Sequence, residues 1–185
     1  TGYMKLKGKS KKETTAIFRL IYHLVNNDEE RFLYVINWLS YFFKRLKKSH
    51  VALLLIGDQG AGKGILFEQI LSELFGKDAC IQANNSSLNT KFKAGIIENR
   101  LIYNFDEISS SKNSNIKNYL KAIIANSSIT EEAKNQTMTD PLELRGQVLL
   151  TSNNTVNPIE IEESDRRYTV FTTGVSLKSV NFLGY

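Results

Sequence analysis

Two short runs in this sequence carry residues able to handle phosphate. The first is Gly57-Asp58-Gln59-Gly60-Ala61-Gly62-Lys63-Gly64, followed by Ile65, and it fits G-x-x-x-x-G-K. Its glycines let the backbone curl so that successive N–H groups converge on phosphate oxygens. A helix opening at the same place adds its positive end, and Lys63 can reach the β and γ phosphates as a point charge. The second run is Asp106-Glu107, directly after the apolar segment Leu101–Phe105. Asp106 can join a Mg²⁺ shell, and Glu107 can orient and polarise an attacking water. A turn with two solvated acids is the bland alternative. The pair's place after an apolar strand, downstream of a phosphate loop, favours the catalytic reading. Together the runs predict binding and hydrolysis of a nucleoside triphosphate with Mg²⁺. The loop usually ends in Ser or Thr, whose hydroxyl ligates the metal. Gly64 stands there instead, so phosphate oxygens, water and the acidic pair must complete the shell.

Two further groups belong to the same chemistry. Ser152-Asn153-Asn154 ends another apolar run, Gln147–Thr151. Asn153, or Asn154 as second choice, can hydrogen-bond the γ phosphate or the water, although Asn in a turn is ordinary. Arg166-Arg167 follows the acidic stretch Glu160–Asp165. Arginine stabilises charge on a transferring phosphoryl group, in cis or from a neighbouring subunit. The alternative is pairing with Glu162, Glu163 and Asp165.

The elements that must position these residues follow from periodicity. Residues 1–12 are rich in Lys, Gly and Ser, and helical spacing covers 13–26. A second helix is expected over about 29–48, capped by Asp28, with Phe32, Val35, Ile36, Leu39, Phe42, Phe43 and Leu46 on its apolar side. Trp38 and the aromatics 41–43 read as core rather than as a ligand platform, and the basic run Lys44–Lys48 reads as a solvated helix end. Val51–Ile56 is an uninterrupted apolar run, the mark of a strand buried on both faces. Ile65–Phe75 returns to helical spacing; strands follow at 79–83, 100–105, 147–151 and 168–172. Helices are expected over about 91–98 and 116–125, a loop at 108–115, and hairpin arms at 129–133 and 141–144. Strands alternate with helices, so the class is α/β with a largely parallel sheet.

Composition bounds the rest. The chain has 185 residues, 42% hydrophobic and 23% charged, enough for one sizeable core. The net charge of +5 and pI of about 9.2 allow a polyanion partner without requiring one. One cysteine, Cys80, excludes an internal disulfide and multi-cysteine zinc sites. His23 and His50 stand apart with no ligand-like neighbours and read as surface or boundary residues. No run approaches the roughly 20 apolar residues of a membrane helix, and no signal peptide pattern opens the chain. A soluble protein of a reducing compartment is expected. The start at Thr1 suggests a fragment of something longer.

In order, GDQGAGKG, NFDE, TSNN and ESDRRY resemble the superfamily 3 helicase domain, of the type joined to primases or primase-polymerases in phages, plasmids and large DNA viruses. The resemblance spans about residues 30–173, and the glycine after Lys63 occurs in that subgroup. It implies a P-loop core of AAA+ type, three layers around a central largely parallel sheet, over 49–185, preceded by a collar-like helical segment at 1–48. It implies a ring, typically a hexamer, around single-stranded DNA with ATP between subunits. Gly57 through Ile65 would line the phosphates, Lys63, Asp106 and Glu107 would act in catalysis, and Asn153 would be the sensor. Arg166, or failing that Arg167, would be the finger entering the neighbour's site. A hairpin at roughly 129–144 would enter the channel with Lys134, Asn135 and Gln136 near its tip. Lys134 would grip a DNA phosphate, with Lys112 a weaker candidate and a solvated lysine the plain alternative. A fused primase or polymerase and a role in phage or plasmid replication, in the host cytoplasm, come with the resemblance. Two other readings share the ATP chemistry. One is a non-helicase AAA+ loader or remodeller acting on a protein. The other is a monomeric nucleotide kinase, disfavoured because only Arg166-Arg167 cluster where a kinase needs lid arginines.

Overall fold

The computed structural model describes residues 11–88, 97–107, 114–130, 141–153, 159 and 161–180. Helix α1 (Lys11–Leu24) and helix α2 (Glu29–Arg45) come first. The Asp28 carboxylate accepts the Arg31 N–H at 3.0 Å and caps α2 as expected. Glu29 and Glu30 in the first turn and Lys44 and Arg45 in the last complement the helix dipole. The helix stops short of residue 48 because Leu46 turns left-handed, at φ +49°. That turn sends Lys48 inward. It is buried rather than solvated, and its ammonium donates to the carbonyls of Ile123, at 2.7 Å, and Asn126. Trp38 and Phe42 are core residues, with Trp38 Nε1 donating to the Val51 carbonyl. Phe43, expected inside, is 45% exposed and lies edge-on to Phe75, because it stands next to Phe42 and so projects from a different side of the helix.

The apolar runs form strands β1 (Ala52–Ile56), β2 (Cys80–Ala83), β3 (Ile102–Asp106), β6 (Gln147–Ser152) and β7 (Tyr168–Thr172). They make one five-stranded sheet in the order β2-β3-β6-β1-β7, with every pairing parallel. Between β1 and β2 lies a helix of three parts: α3 (Lys63–Ile65), a π-helical segment (Leu66–Leu71) and α4 (Ser72–Phe75). A π turn inside a helix is rare and often marks a functional region. Short helix α5 (Asn85–Leu88) follows β2, and helix α6 (Ser114–Ala125) lies between β3 and β6 in the chain. Strands β4 (Ser128–Ile129) and β5 (Leu142–Glu143) pair antiparallel; β5 falls within the second expected hairpin arm, and β4 meets the first only at Ile129. Residues 131–140, with Lys134, Asn135 and Gln136, lie outside the described residues, as do Lys112, Asn154 and most of the helix expected at 91–98.

The sheet is covered on both faces. On one, Leu53, Leu55, Ile102 and Leu149 pack with Leu20, Leu24, Val35, Trp38 and Phe42 of α1 and α2 and with Leu66 and Phe67. On the other, Leu54, Tyr103, Phe105, Val148 and Leu150 pack with Ile116, Leu120, Ile123 and Ile124 of α6. The first two helices therefore share one core with the sheet. Parallel strands place all carboxyl ends at one edge, where ligands of open α/β sheets bind. Among the described residues no helix is long and apolar enough to cross a membrane.

Candidate functional site

β1 delivers the chain to the carboxyl edge, and the loop Gly57–Gly62 turns it into α3. Gly60 and Gly62 adopt φ +87° and +100°, which L side chains rarely accept, so these positions need glycine. Lys63 is only 6% exposed. Its ammonium donates to the carbonyls of Gly57, at 2.6 Å, and Asp58, at 2.9 Å. Burial lowers its pKa, and the charges of Asp106 and Asp58 oppose that. The lysine thus caps its own loop. Gly64 faces open space: a Cβ there would meet nothing within 4 Å.

β3 ends at the same edge and carries Asp106 and Glu107 there. One oxygen of Asp106 accepts from the Thr151 hydroxyl and, at 3.0 Å, from the Glu107 N–H. The other accepts from Gln82 Nε2 at 3.0 Å. Register explains the set. Asp106 lies level with Thr151, and Gln82 with Asn104, so all four side chains leave the same face of the sheet. Glu107 is left-handed, at φ +52°, and its Oε1 accepts from Asn153 Nδ2 at 3.2 Å. β6 supplies Thr151, and Asn153 follows directly on its end. Sequence reasoning missed Gln82 and Thr151. Their signal was a polar side chain near the carboxyl end of an apolar strand on either side of Asp106.

The oxygen-rich acidic pair suits a hard divalent cation. Among the described residues no group of three or more His, Cys, Asp or Glu could hold a metal by itself. A cation here would draw the rest of its shell from phosphate and water, the arrangement a Mg²⁺–nucleotide complex provides.

The arginine doublet lies elsewhere. Arg167 precedes β7, and its carbonyl accepts the Ala52 N–H at the start of β1. With strands rising roughly 3.3 Å per residue, and Tyr168 level with Ala52, the doublet stands about 20 Å along β1 from its own chain's loop. Arg167 pairs with Asp165 through Nε at 2.7 Å and a terminal nitrogen at 3.0 Å. That pair holds the Asp165 carboxyl below its usual range. Arg166 is exposed and lines an open cavity of about 810 Å³ with His50, Glu162 and Ser164. The structure brings Lys63, Asp106, Glu107 and Asn153 to one edge and leaves Arg166 and Arg167 at the opposite one.

A sequence family described as a family of unknown function, DUF5906, matches residues 55–167. A DNA primase-polymerase of Nitratiruptor phage NrS-1 is 28% identical over 179 residues, which is 94% of this chain and 24% of that protein. Two apo structures of the NrS-1 C-terminal region, residues 305–718, superpose with TM-scores of 0.83 and 0.79 at 27% and 26% identity. They cover 98% of this chain, and 43% and 42% of their own. The chain spans about a quarter of its curated relative and less than half of these solved regions.

Proposed function

We propose that the chain, which belongs to the DUF5906 family of unknown function, is an ATP-hydrolysing DNA helicase domain of the superfamily 3 kind, working in phage or plasmid replication. The observation that carries this reading is the meeting of Lys63, Asp106, Glu107 and Asn153 at the carboxyl edge of a parallel sheet. In this reading Gly57 through Ile65 cradle the phosphates of ATP, and Lys63 exchanges its loop carbonyls for the β and γ phosphates. Asp106 joins the Mg²⁺ shell, oriented by Thr151 and Gln82. Glu107 takes a proton from the attacking water, and Asn153 fixes Glu107 and senses the γ phosphate. The parallel sheet and its helical cover support a P-loop core of AAA+ type, proposed at 49–185, with 1–48 as a collar-like segment whose helices α1 and α2 pack onto that core.

Arg166 is the finger proposed to enter a neighbour's site in a homo-oligomeric, hexameric ring. Its distance from its own loop supports action in trans, and the engagement of Arg167 with Asp165 favours Arg166 over Arg167. Likeness to a phage DNA primase-polymerase supports DNA as the partner, proposed here to be single-stranded, and a primase or polymerase domain as a companion. Lys134, Asn135 and Gln136 are the proposed DNA contacts, since they lie between the paired hairpin arms β4 and β5.

The deciding experiment is ATP hydrolysis by the assembled protein with and without a single-stranded oligonucleotide, with assembly followed by sedimentation. Stimulation by DNA is expected, as is loss of hydrolysis in Lys63→Ala. Hydrolysis indifferent to DNA in an intact ring would replace the helicase with an AAA+ loader or remodeller acting on a protein. No nucleotide binding at all would end the whole reading.

A further inference from the structure

His23 reads in the sequence as a surface or boundary residue, yet it is buried, at 7% exposure. It stands on α1, far along the chain from the phosphate loop, and a short strap connects the two. The strap is Thr173–Leu177, which leaves the carboxyl end of β7 beside β1. Its first residue is anchored by the Thr173 N–H to the Ile56 carbonyl at 2.8 Å. The Gly174 N–H then donates to the His23 carbonyl at 2.9 Å. The His23 ring nitrogen Nε2 donates to the Val175 carbonyl at 2.8 Å. Finally the Leu177 N–H donates to the Gly60 carbonyl at 3.0 Å.

The strap meets the loop through side chains as well. Leu177 and Leu20 both crowd the Cα of Gly62, so that a Cβ there would lie 3.0 and 2.7 Å from their methyl carbons. A Cβ on Gly174 would lie 2.5 Å from the His23 ring, so the strap backbone lies directly against the imidazole. The Gly60–Ala61 peptide is held at both ends: its carbonyl by Leu177, and its N–H by the Asp58 carbonyl at 3.3 Å. A planar peptide held at carbonyl and N–H cannot rotate. The curl of the loop is therefore set in part from outside, by the strap.

We infer that His23 is a positioning residue for the phosphate loop, acting through its hydrogen bond to Val175 and the strap that bonds Gly60. This rests on the reading of Gly57–Gly64 as a phosphate-binding loop. Loop N–H groups fixed in advance bind phosphate without an ordering cost. A loosened strap raises that cost and spares Glu107 and Asn153, which follow directly on β3 and β6. The effect falls on nucleotide affinity and KM, with kcat nearly unchanged.

The test compares His23→Gln, His23→Asn and His23→Leu in the full chain. The amide nitrogen of Gln reaches the position of imidazole Nε2, that of Asn falls short, and Leu fills the space without a donor. Titration with a fluorescent ATP analogue, KM and kcat for ATP, and hydrogen exchange of the 174–177 amides are read together. His23→Gln is expected within about threefold of the wild type, and His23→Asn and His23→Leu about tenfold weaker, the scale of one lost buried hydrogen bond. Faster exchange at Leu177 accompanies the loss. Wild-type affinity in His23→Asn or His23→Leu overturns the inference, as does equal weakening in His23→Gln. If His23→Leu fails to fold, the contrast between Asn and Gln decides alone. A wild-type protein that binds no nucleotide ends the phosphate-loop reading itself, a result distinct from variants that bind as the wild type does.

Discussion

Asn153 Nδ2 donates to Glu107 Oε1 at 3.2 Å, joining the ends of β6 and β3 across the mouth of the site. The bond reaches a glutamate whose backbone is left-handed, a conformation that costs a non-glycine residue on the order of 1–3 kcal/mol. Such a residue persists only where its surroundings fix it, and Asn153 together with the contact between the Glu107 N–H and Asp106 does so. Glu107→Gln keeps an oxygen to accept from Asn153 but cannot take a proton. Nucleotide binding within about threefold of the wild type is expected, with hydrolysis lower by roughly 10²–10⁴-fold. Single-turnover hydrolysis beside analogue titration checks it. Equal loss of binding and hydrolysis would mean that Glu107 serves structure rather than proton transfer.

Gly64 gives a test of the metal shell. Its φ is ordinary and its Cβ position open, so neither strain nor crowding calls for glycine. Gly64→Ser puts a hydroxyl where most phosphate loops carry one. Thermal stability is expected to hold or rise slightly, since serine is the better helix former by several tenths of a kcal/mol. The Mg²⁺ concentration at half-maximal hydrolysis is expected to fall about threefold or more. An unchanged Mg²⁺ dependence would show that a hydroxyl at this position does not reach the metal.

The uninterrupted runs VALLLI, RLIYNF and QVLLT announced strands buried on both faces, because only a covered parallel sheet hides every side chain of a strand. The loop was equally legible, since its glycines and lysine are local and ordered along the chain. Contacts between distant segments were not. Gln82 and Thr151 meet Asp106 only because of the strand register, which no local pattern reveals. His23 and Lys48 looked like surface residues for the same reason. Their partners, Val175 for one and Ile123 and Asn126 for the other, lie 152, 75 and 78 residues away. Phe43 was misplaced because three aromatics in a row cannot all face one side of a helix.

The doublet Arg166-Arg167 separates into two roles. Arg167 grips a carboxylate that is only 2% exposed, and Lys121 stands 3.8 Å from the same acid. Arg167→Ala leaves Asp165 short of its main partner and is expected to lower stability by about 1–3 kcal/mol. Arg166→Ala touches no ion pair among the described residues and is expected within roughly 0.5 kcal/mol of the wild type. Chemical denaturation measures both. If Arg166 acts in a neighbour's site, Arg166→Ala subunits reduce the activity of mixed assemblies below the wild-type fraction. Activity in simple proportion to that fraction would remove the role in trans.

Lys48 gives a pH signature. Burial lowers its pKa from 10.5 to about 8, while its ammonium donates to carbonyls at the end of α6 and the residue beyond it. The unfolded chain keeps the ordinary value, so between about pH 8 and 10.5 the unfolded state binds more protons at this site. Stability contributed by this group therefore rises with pH across that window and is flat below it. Lys48→Met removes the titration and leaves those two carbonyls without the ammonium. It is expected to be less stable by about 1–3 kcal/mol at neutral pH. The gap between wild type and variant should widen as pH rises from 8 toward 10.5. Denaturant unfolding of both proteins at matched pH follows that gap. If the gap is constant, Lys48 titrates in the folded protein as it does in the unfolded chain, and the desolvation of this buried ammonium is offset by the carbonyls it caps.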